Sequence, residues 1–325
     1  MRLRVSTVIA MAAAHAAIVA TAIGCGGGVA RPAPESPRRP AAQAALITTE
    51  LEVVSGTATL HVWSRGGSAD SPTLVLINGG PGLSHESMDP LQDALASPTR
   101  RVLTYDQRGV GRSTATATSV FLPADYVADL EAIRAHVGRE QVHLLGHSFG
   151  GMISLSYLDA HPERVASIIL AGTGVSDDAA MAAGGALFGE RVAALQRAGV
   201  IPDPIPAASC REKFIALLPA YFANPRLAVP EVMLRRQCDD SGRSDVLFAF
   251  IAVPYAHGLA TSRAPALVLM GGDEPFGPTA SRYAVSAMSA SHAELVTLPH
   301  CGHIGWLECE RPFLSAVQRF LARVE

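Results

Sequence analysis

The sequence predicts an α/β fold built on a mostly parallel sheet, with a helical segment inserted into it. Short apolar strand patterns alternate with helix-like patterns along the chain, and this alternation breaks between residues 175 and 262. One buried-strand pattern, at 142–145, runs through a Gly-x-Ser-x-Gly turn directly into a helix-like stretch. With 325 residues, of which 49% are hydrophobic and 17% charged, the chain can bury a sizeable core.

The charge pattern excludes one class of partner. The formal net charge is −3, and the predicted folded part contains no run of Lys and Arg. A protein that binds nucleic acid needs a clustered basic face to meet the phosphates. We therefore expect no nucleic-acid partner.

The N-terminus has the layout of an export signal. Arg2 and Arg4 precede an apolar run over 5–23 that ends in small residues, as in secretory signals. The four residues Ala22-Ile23-Gly24-Cys25 resemble the lipobox of bacterial lipoproteins. This resemblance implies a signal peptide over residues 1–24, cleavage before Cys25, and lipid attached to that cysteine.

A tether follows the signal. Residues 25–46 are rich in Gly, Pro, Ala and Arg and poor in large apolar side chains, so we expect a flexible linker. Together with the signal, the linker predicts an exported lipoprotein of the bacterial cell envelope, held to membrane lipid by its N-terminus. The alternative is an uncleaved membrane anchor, since the apolar run is nearly long enough to span a bilayer.

The first part of the sheet core is predicted in residues 47–174. Two alternating patterns open it and predict antiparallel strands, and continuous apolar runs then predict buried parallel strands. The predicted strands cover 47–54, 57–63, 73–77, 101–105, 142–145 and 164–170, and helix-like patterns cover 126–136 and 151–158.

A helical cap is predicted in residues 175–262. Helix-like segments at 181–196 and 211–221 are separated there by Pro-rich turns. The absence of strand patterns between them indicates an insertion rather than a continuation of the sheet.

The second part of the sheet core is predicted in residues 263–325. Strand patterns resume at 266–270 and 293–298, and an amphipathic helix pattern over 311–324 closes the chain. The core is therefore expected to be split in sequence by the cap.

The turn after the strand at 142–145 predicts a nucleophile elbow. Only small residues fit a turn this tight, and Gly146 and Gly150 occupy the two positions that need them. Such a turn exposes the Ser148 hydroxyl above the sheet edge, while the helix that starts at Phe149 directs its positive end toward that oxygen. The alternative is an ordinary Gly-rich turn between a strand and a helix.

A serine nucleophile needs a histidine base and an acid that orients it. Asp273 follows the strand pattern at 266–270, and His303 follows the last strand pattern. The order Ser148, Asp273, His303 predicts a catalytic triad. Glu274 competes locally with Asp273, and His300 is a weaker candidate than His303 because it lies close to the strand end.

Two backbone N–H groups are predicted to stabilise an oxyanion. One belongs to Phe149, which follows the nucleophile, and the other to Gly80 in the Gly-rich loop after the strand at 73–77. The loop lacks the Lys-Ser/Thr pair of a phosphate-binding loop, so we expect no nucleotide there.

At these positions the sequence resembles the α/β-hydrolases of the proline iminopeptidase (prolyl aminopeptidase) type, over nearly all of residues 47–325. The stretches that carry the resemblance are Gly79-Gly80-Pro81-Gly82, Asp106-Gln107-Arg108-Gly109-Val110-Gly111-Arg112-Ser113, the elbow around Ser148, Gly271-Gly272-Asp273, and Gly302-His303 with Glu308.

This resemblance implies an aminopeptidase that releases N-terminal residues from peptides through an acyl-enzyme, without a metal or cofactor. In such peptidases, acids of the cap hold the substrate amine. Glu231, Asp239 and Asp240 are the candidates here because they flank an apolar stretch at 232–234. Phe149 stands where proline-specific members usually have Trp, and residues 175–262 contain no Trp, so a strict proline preference is not implied.

Two other functions fit the same residues. A carboxylesterase or lactonase would use the same triad on a small ester or amide substrate. A non-catalytic binding protein on a hydrolase fold is the more distant alternative.

Four cysteines remain if Cys25 carries lipid. In an exported protein they can form disulfides. A Cys210–Cys238 bridge would restrain the cap, and a Cys301–Cys309 bridge would brace the His303 loop. Buried free thiols are the alternative.

Overall fold

The computed structural model describes residue 46 and residues 48–116, 121–206, 208–239, 244–255 and 258–325. The predicted signal peptide, Cys25 and all but the last residue of the linker lie outside this part of the chain. Within the described part, no helix has both the length and the apolar character needed to span a membrane.

A mixed sheet of nine strands lies at the centre of the described chain. The strands are β1 Thr48–Ser55, β2 Ala58–Arg65, β3 Thr73–Ile77, β4 Arg101–Tyr105, β5 Thr114–Ala115, β6 Val142–His147, β7 Val165–Ala171, β8 Ala266–Gly271 and β9 Glu294–Leu298. Their spatial order is β1-β2-β4-β3-β6-β7-β8-β9, with β5 paired to β2. Strand β2 pairs antiparallel with β1, β4 and β5, whereas every pair from β4–β3 to β8–β9 is parallel. The predicted fold class, antiparallel at its start and parallel afterwards, is confirmed.

The continuous apolar runs form strands that are buried on both faces. Successive side chains of a strand point to opposite faces. Accordingly, Leu144 of β6 packs in the core cluster on one face of the sheet, and its neighbour Leu145 packs in the cluster on the other face. Val75 and Leu76 of β3 divide in the same way. Full burial of each such side chain contributes roughly 1.5–3 kcal/mol, which fixes the register of the parallel strands.

Helices cover both faces of the sheet. Those of the core are α1 Asp89–Leu95, α2 Pro123–His136, α3 Phe149–Ala160, α9 Thr279–Ala287, α10 Gly305–Glu308 and α11 Glu310–Val324. The final helix, α11, buries Phe313, Val317 and Phe320 along one stripe, as its amphipathic pattern predicts.

Five helices lie between β7 and β8 in the described residues. They are α4 Asp178–Arg197, α5 Cys210–Tyr221, α6 Glu231–Arg235, α7 Ser244–Ala252 and α8 Gly258–Thr261. We call this segment the cap. Helices α4 and α5 are joined by Arg191, whose guanidinium donates to the carbonyl of Ala220 at 2.9 Å.

Both cysteine pairs considered in the sequence are disulfides in the structure. Cys210 at the start of α5 is bonded to Cys238 after α6, within the cap. Cys301 is bonded to Cys309, and this bridge spans the loop that carries His303. The alternative of free thiols is therefore wrong for these four residues.

Candidate active site

Ser148 lies in a strained turn between β6 and α3. Its backbone has φ 53° and ψ −118°, a conformation that L-residues with a side chain rarely adopt. The turn can close because the residues two positions before and after Ser148 are glycines. A Cβ on Gly146 would collide with the carbonyl of Gly150, and a Cβ on Gly150 would collide with the carbonyl of Ile77. The Ser148 N–H donates to the carbonyl of Ala171 at 3.0 Å, which ties the turn to the end of β7.

His303 and Glu274 form a buried pair beside Ser148. The Nδ1 atom of His303 lies 2.7 Å from Oε1 of Glu274, and each side chain is only 5% exposed. Within the described residues, Nε2 of His303 has no hydrogen-bond partner. Ser148, Glu274 and His303 line one cavity. A histidine oriented at Nδ1 and open at Nε2 has the arrangement of a general base.

The predicted contact between Asp273 and His303 is not formed in the structure. The carboxylate of Asp273 is 54% exposed and lies 3.8 Å from Nδ1 of His300, whose side chain is 97% exposed. Adjacent residues in this loop point in opposite directions, and the Asp273 N–H is held by the carbonyl of Cys301 at 2.9 Å. The next residue, Glu274, points inward, and its longer side chain reaches the ring. The partner of His303 is therefore Glu274, the local competitor.

Three groups fix the backbone around His303. Its N–H donates to the carbonyl of Tyr221 in the cap at 2.8 Å, and its carbonyl accepts from Nε2 of His147 at 3.0 Å. Burial, reinforced by the neighbouring His303, lowers the pKa of His147 well below its usual value, so this ring is a neutral donor. The carboxylate of Glu308 accepts from the N–H of Gly302 at 2.8 Å.

Glu308 also joins the histidine loop to the cap. Its two carboxylate oxygens accept from the N–H groups of Ala223 at 2.9 Å and Asn224 at 2.7 Å, directly after α5. One carboxylate thus binds three backbone donors from two segments. The sequence does not reveal this role of Glu308, because the role depends on where distant loops meet.

The predicted oxyanion donors lie beside the nucleophile. Phe149 begins α3, where N–H groups have no acceptor within the helix. Gly80 lines a second cavity together with Ser148 and His303. The loop that carries Gly80 is anchored by Asn78, whose side-chain N–H₂ group donates to the carbonyls of Gly79 at 2.9 Å and Leu83 at 2.6 Å.

The two cavities differ in chemistry. The first, of about 440 Å³ including its open mouth, is lined mainly by small and apolar residues such as Met181 and Phe276. The second, of about 320 Å³, contains the buried Arg236. Burial lowers the pKa of Arg236 to about 10, which leaves it charged at neutral pH.

Of the three acids predicted to hold a substrate amine, Glu231 and Asp239 do not line either cavity. Glu231 is exposed at the start of α6, and the N–H of Asp239 donates to the carbonyl of Gly82 at 2.8 Å. Asp240 lies outside the described residues. Among the described cap residues, the charged side chain that lines a cavity is that of Arg236. The sequence does not reveal this position, because Arg236 stands in a polar run that resembles a solvated surface.

Comparison with known proteins identifies the fold. The family described as the alpha/beta hydrolase fold matches residues 72–241, a little more than half of the 325 residues. The chain belongs to this α/β-hydrolase family.

Among the described residues, no group of three His, Cys, Asp or Glu side chains could hold a metal ion.

The individual proteins that the chain resembles include proline iminopeptidases and esterases. The proline iminopeptidase of Lactobacillus helveticus (strain DPC 4571) is 39% identical over 111 residues, which cover 33% of this chain and 38% of the relative. The crystal structure of the proline iminopeptidase of Mycobacterium smegmatis covers 85% of this chain and 98% of its own, with a TM-score of 0.64 and 20% identity. The naproxen esterase of Bacillus subtilis covers 85% and 92%, with a TM-score of 0.61 and 19% identity. The two structures share the fold with this hydrolase.

Proposed function

We propose that this chain is a serine hydrolase that forms an acyl-enzyme on Ser148. The observation that carries the proposal is the meeting of three groups at one cavity: Ser148 in its strained turn, His303, and Glu274 at 2.7 Å from the His303 ring. A hydroxyl is a weak nucleophile at neutral pH, and this arrangement supplies the base and the orienting acid that activate it.

The reaction follows from these positions. Ser148 Oγ attacks the substrate carbonyl while Nε2 of His303 takes the hydroxyl proton, and the carboxylate of Glu274 stabilises the resulting imidazolium. The N–H groups of Gly80 and Phe149 bind the oxyanion. His303 then gives its proton to the leaving group as the carbonyl–leaving-group bond breaks. Water, deprotonated by the same ring, hydrolyses the acyl-enzyme and restores Ser148.

Release of N-terminal residues from peptides is the activity we propose first. Its support is the identity shared with the proline iminopeptidase of Lactobacillus helveticus, 39% over 111 residues. The site must then hold a substrate amine, and of the predicted cap acids only Asp240, which lies outside the described residues, remains a candidate for this role.

A carboxylesterase is the second candidate, and one observation favours it. Within the described residues, Glu274 is the one acid that lines either cavity, and its carboxylate is already bonded to His303. An ammonium group entering a closed site needs acceptors that replace its water. An ester has no such requirement.

A substrate panel separates the two activities. Free-amine alanyl and prolyl arylamides, the same arylamides with an acetylated amine, and aryl esters of matched size would be compared by kcat/KM. A peptidase should lose tenfold or more on acetylation, as expected for loss of a charge-assisted hydrogen bond. Equal rates on blocked amides, or a marked preference for esters, would favour the esterase. Ser148→Ala serves as the control and should abolish turnover of every substrate.

We further propose that the protein is exported and held to the membrane by lipid on Cys25. Two or more acyl chains give stable anchoring, since each buried CH₂ contributes about 0.8 kcal/mol. The variant Cys25→Ser should therefore leave the membrane fraction when cells are fractionated. Retention of this variant in the membrane would indicate an uncleaved apolar anchor instead.

A further inference from the structure

In the part of the chain that the structure describes, a positive charge lies buried beside Ser148 without a carboxylate partner. Arg236 is 4% exposed and lines the second cavity together with Ser148. Among the described residues, no carboxylate oxygen lies within 4.0 Å of its guanidinium. Removing a guanidinium from water costs free energy that neutral acceptors replace only in part. An anion is the group that would balance this charge.

The contacts that Arg236 does make are neutral or distant. Its Nε donates to the carbonyl of Ser84 at 3.0 Å and its Nη2 to the carbonyl of Gly79 at 3.1 Å. The carboxylates whose charge acts on it are those of Glu86 and Asp106. Asp106 is bonded to the ring of His85 at 2.8 Å, and neither acid lines the cavity.

The guanidinium is held in a fixed position. Residues 236–239 run antiparallel to residues 82–84 of the loop that carries Gly80, with an isolated bridge between Leu83 and Cys238. The N–H of Gln237 donates to the Ser84 hydroxyl at 2.7 Å. The disulfide from Cys238 to Cys210 ties the same segment to α5. A cation fixed in this way can bind an anion with little further loss of side-chain entropy.

We propose that Arg236 forms a carboxylate subsite and that the substrate carries a carboxylate close to the bond that is cleaved. The proposal rests on the proposed role of Ser148 as nucleophile. A guanidinium matches the planar geometry of a carboxylate, and a small cavity with one cation suits a group with one negative charge. The first cavity, which is largely apolar, would take the other side of the substrate.

This subsite defines the substrate class for each candidate activity. For a peptidase, the carboxylate is the C-terminus of a dipeptide, with an apolar residue at the N-terminal position. For an esterase, it is the free acid of a half-ester of a dicarboxylic acid. In both, the carboxylate lies a few bonds from the scissile carbonyl, as Ser148 and Arg236 share one cavity.

Matched substrate pairs test the subsite. The dipeptide pair is Ala-Ala against Ala-Ala amide, and the ester pair is the mono-4-nitrophenyl ester of glutaric acid against the same compound with its free acid methylated. The wild type should favour the charged member of at least one pair by tenfold or more in kcat/KM. Arg236→Gln should reduce that ratio by tenfold or more, and Arg236→Lys, which keeps the charge without the planar fork, should retain part of it.

A neighbouring variant controls for charge alone. Arg235→Gln removes the same charge one residue earlier, at a side chain that is 56% exposed, and should keep the wild-type ratio. If Arg236 only holds the Gly80 loop, Arg236→Gln would slow both members of a pair equally and leave the ratio unchanged. That result, or a wild type without preference for the charged members, would overturn the proposal.

Labelling with a fluorophosphonate separates this proposal from the one on which it rests. A wild type that is labelled at Ser148 but shows no preference for charged substrates would refute the subsite and leave the proposed nucleophile standing. A wild type that is neither labelled nor active on any pair would refute both.

Discussion

The candidate active site has two halves that are held in place in different ways. Ser148, Glu274 and His303 follow the ends of β6, β8 and β9, and the parallel register of buried strands brings those ends to one edge. Across the cavity, cap side chains such as Phe250 and Phe222 pack in the two core clusters. The Glu308 carboxylate and the Arg236 guanidinium add polar links between cap and core, and the Cys210–Cys238 bridge joins two segments of the cap. Changes in the first half should therefore alter the chemical step, whereas changes in the second should alter how the cap is held and which substrate is accepted.

The largest effect is expected at the acid beside His303. Glu274→Gln keeps the shape of the side chain but cannot stabilise the imidazolium, so kcat should fall by about 10²- to 10⁴-fold. The matched change at the adjacent exposed acid, Asp273→Asn, should leave kcat within about threefold of the wild type. Steady-state kinetics of the two variants would decide between the acids, and a larger loss in Asp273→Asn would refute the pairing seen here.

A smaller effect, on stability and kcat, is expected at Glu308, which joins the histidine loop to the cap. Its carboxylate accepts from the N–H groups of Gly302, Ala223 and Asn224. Glu308→Gln removes the charge and part of the acceptor capacity, and hydrogen bonds to charged groups contribute roughly 1.5–3 kcal/mol. We expect a loss of unfolding free energy of that order in denaturant titrations, together with a lower kcat.

Glu310→Gln is the control for this change. Glu310 is exposed in the first turn of α11, so its loss should change the free energy of unfolding by no more than about 0.5 kcal/mol. Equal stability of the two variants would contradict the role of Glu308 as the link between the histidine loop and the cap.

The two disulfides should differ in their contribution to stability. Cys210–Cys238 closes a separation of 28 residues and Cys301–Cys309 one of 8 residues. Loop-closure entropy predicts losses of about 3.6 and about 2.5 kcal/mol when each pair is replaced by serine. Thermal unfolding of the two double variants would measure the difference. The shorter bridge should affect kcat more than the longer one does, since it spans the His303 loop.

The smallest effect is expected at Asp89, where α6 of the cap meets the core. Its Oδ2 lies 3.6 Å from the Arg235 guanidinium, yet burial raises the pKa of Asp89 to about 6 from its usual 3.8. The folded state binds the proton of the Asp89 carboxyl more tightly than the unfolded state does. Protonated Asp89 therefore stabilises the fold, and this stabilisation decreases as pH rises from about 4 through about 6. Asp89→Asn should flatten this pH dependence of Tm, by roughly a few °C. If Asp89→Asn has the same pH dependence of Tm as the wild type, the raised pKa of Asp89 is refuted.

The same contrast explains how much of the site could be predicted from the sequence. Strand periodicity and the Gly-x-Ser-x-Gly turn place Ser148 and the His303 loop, because a parallel sheet brings its strand ends together. The choice between Asp273 and Glu274 could not be made, since a loop without periodicity does not reveal which neighbour points inward. The burial of Arg236 could not be predicted, because it arises from hydrogen bonds to residues more than 150 positions away.

The most direct test of the account is mass spectrometry of the protein after reaction with a fluorophosphonate. The expected result is one adduct, on the peptide that contains Ser148, absent from Ser148→Ala and formed much more slowly in Glu274→Gln than in Asp273→Asn. An adduct on another residue, or unchanged labelling of Ser148→Ala, would contradict the assignment of Ser148 as the nucleophile.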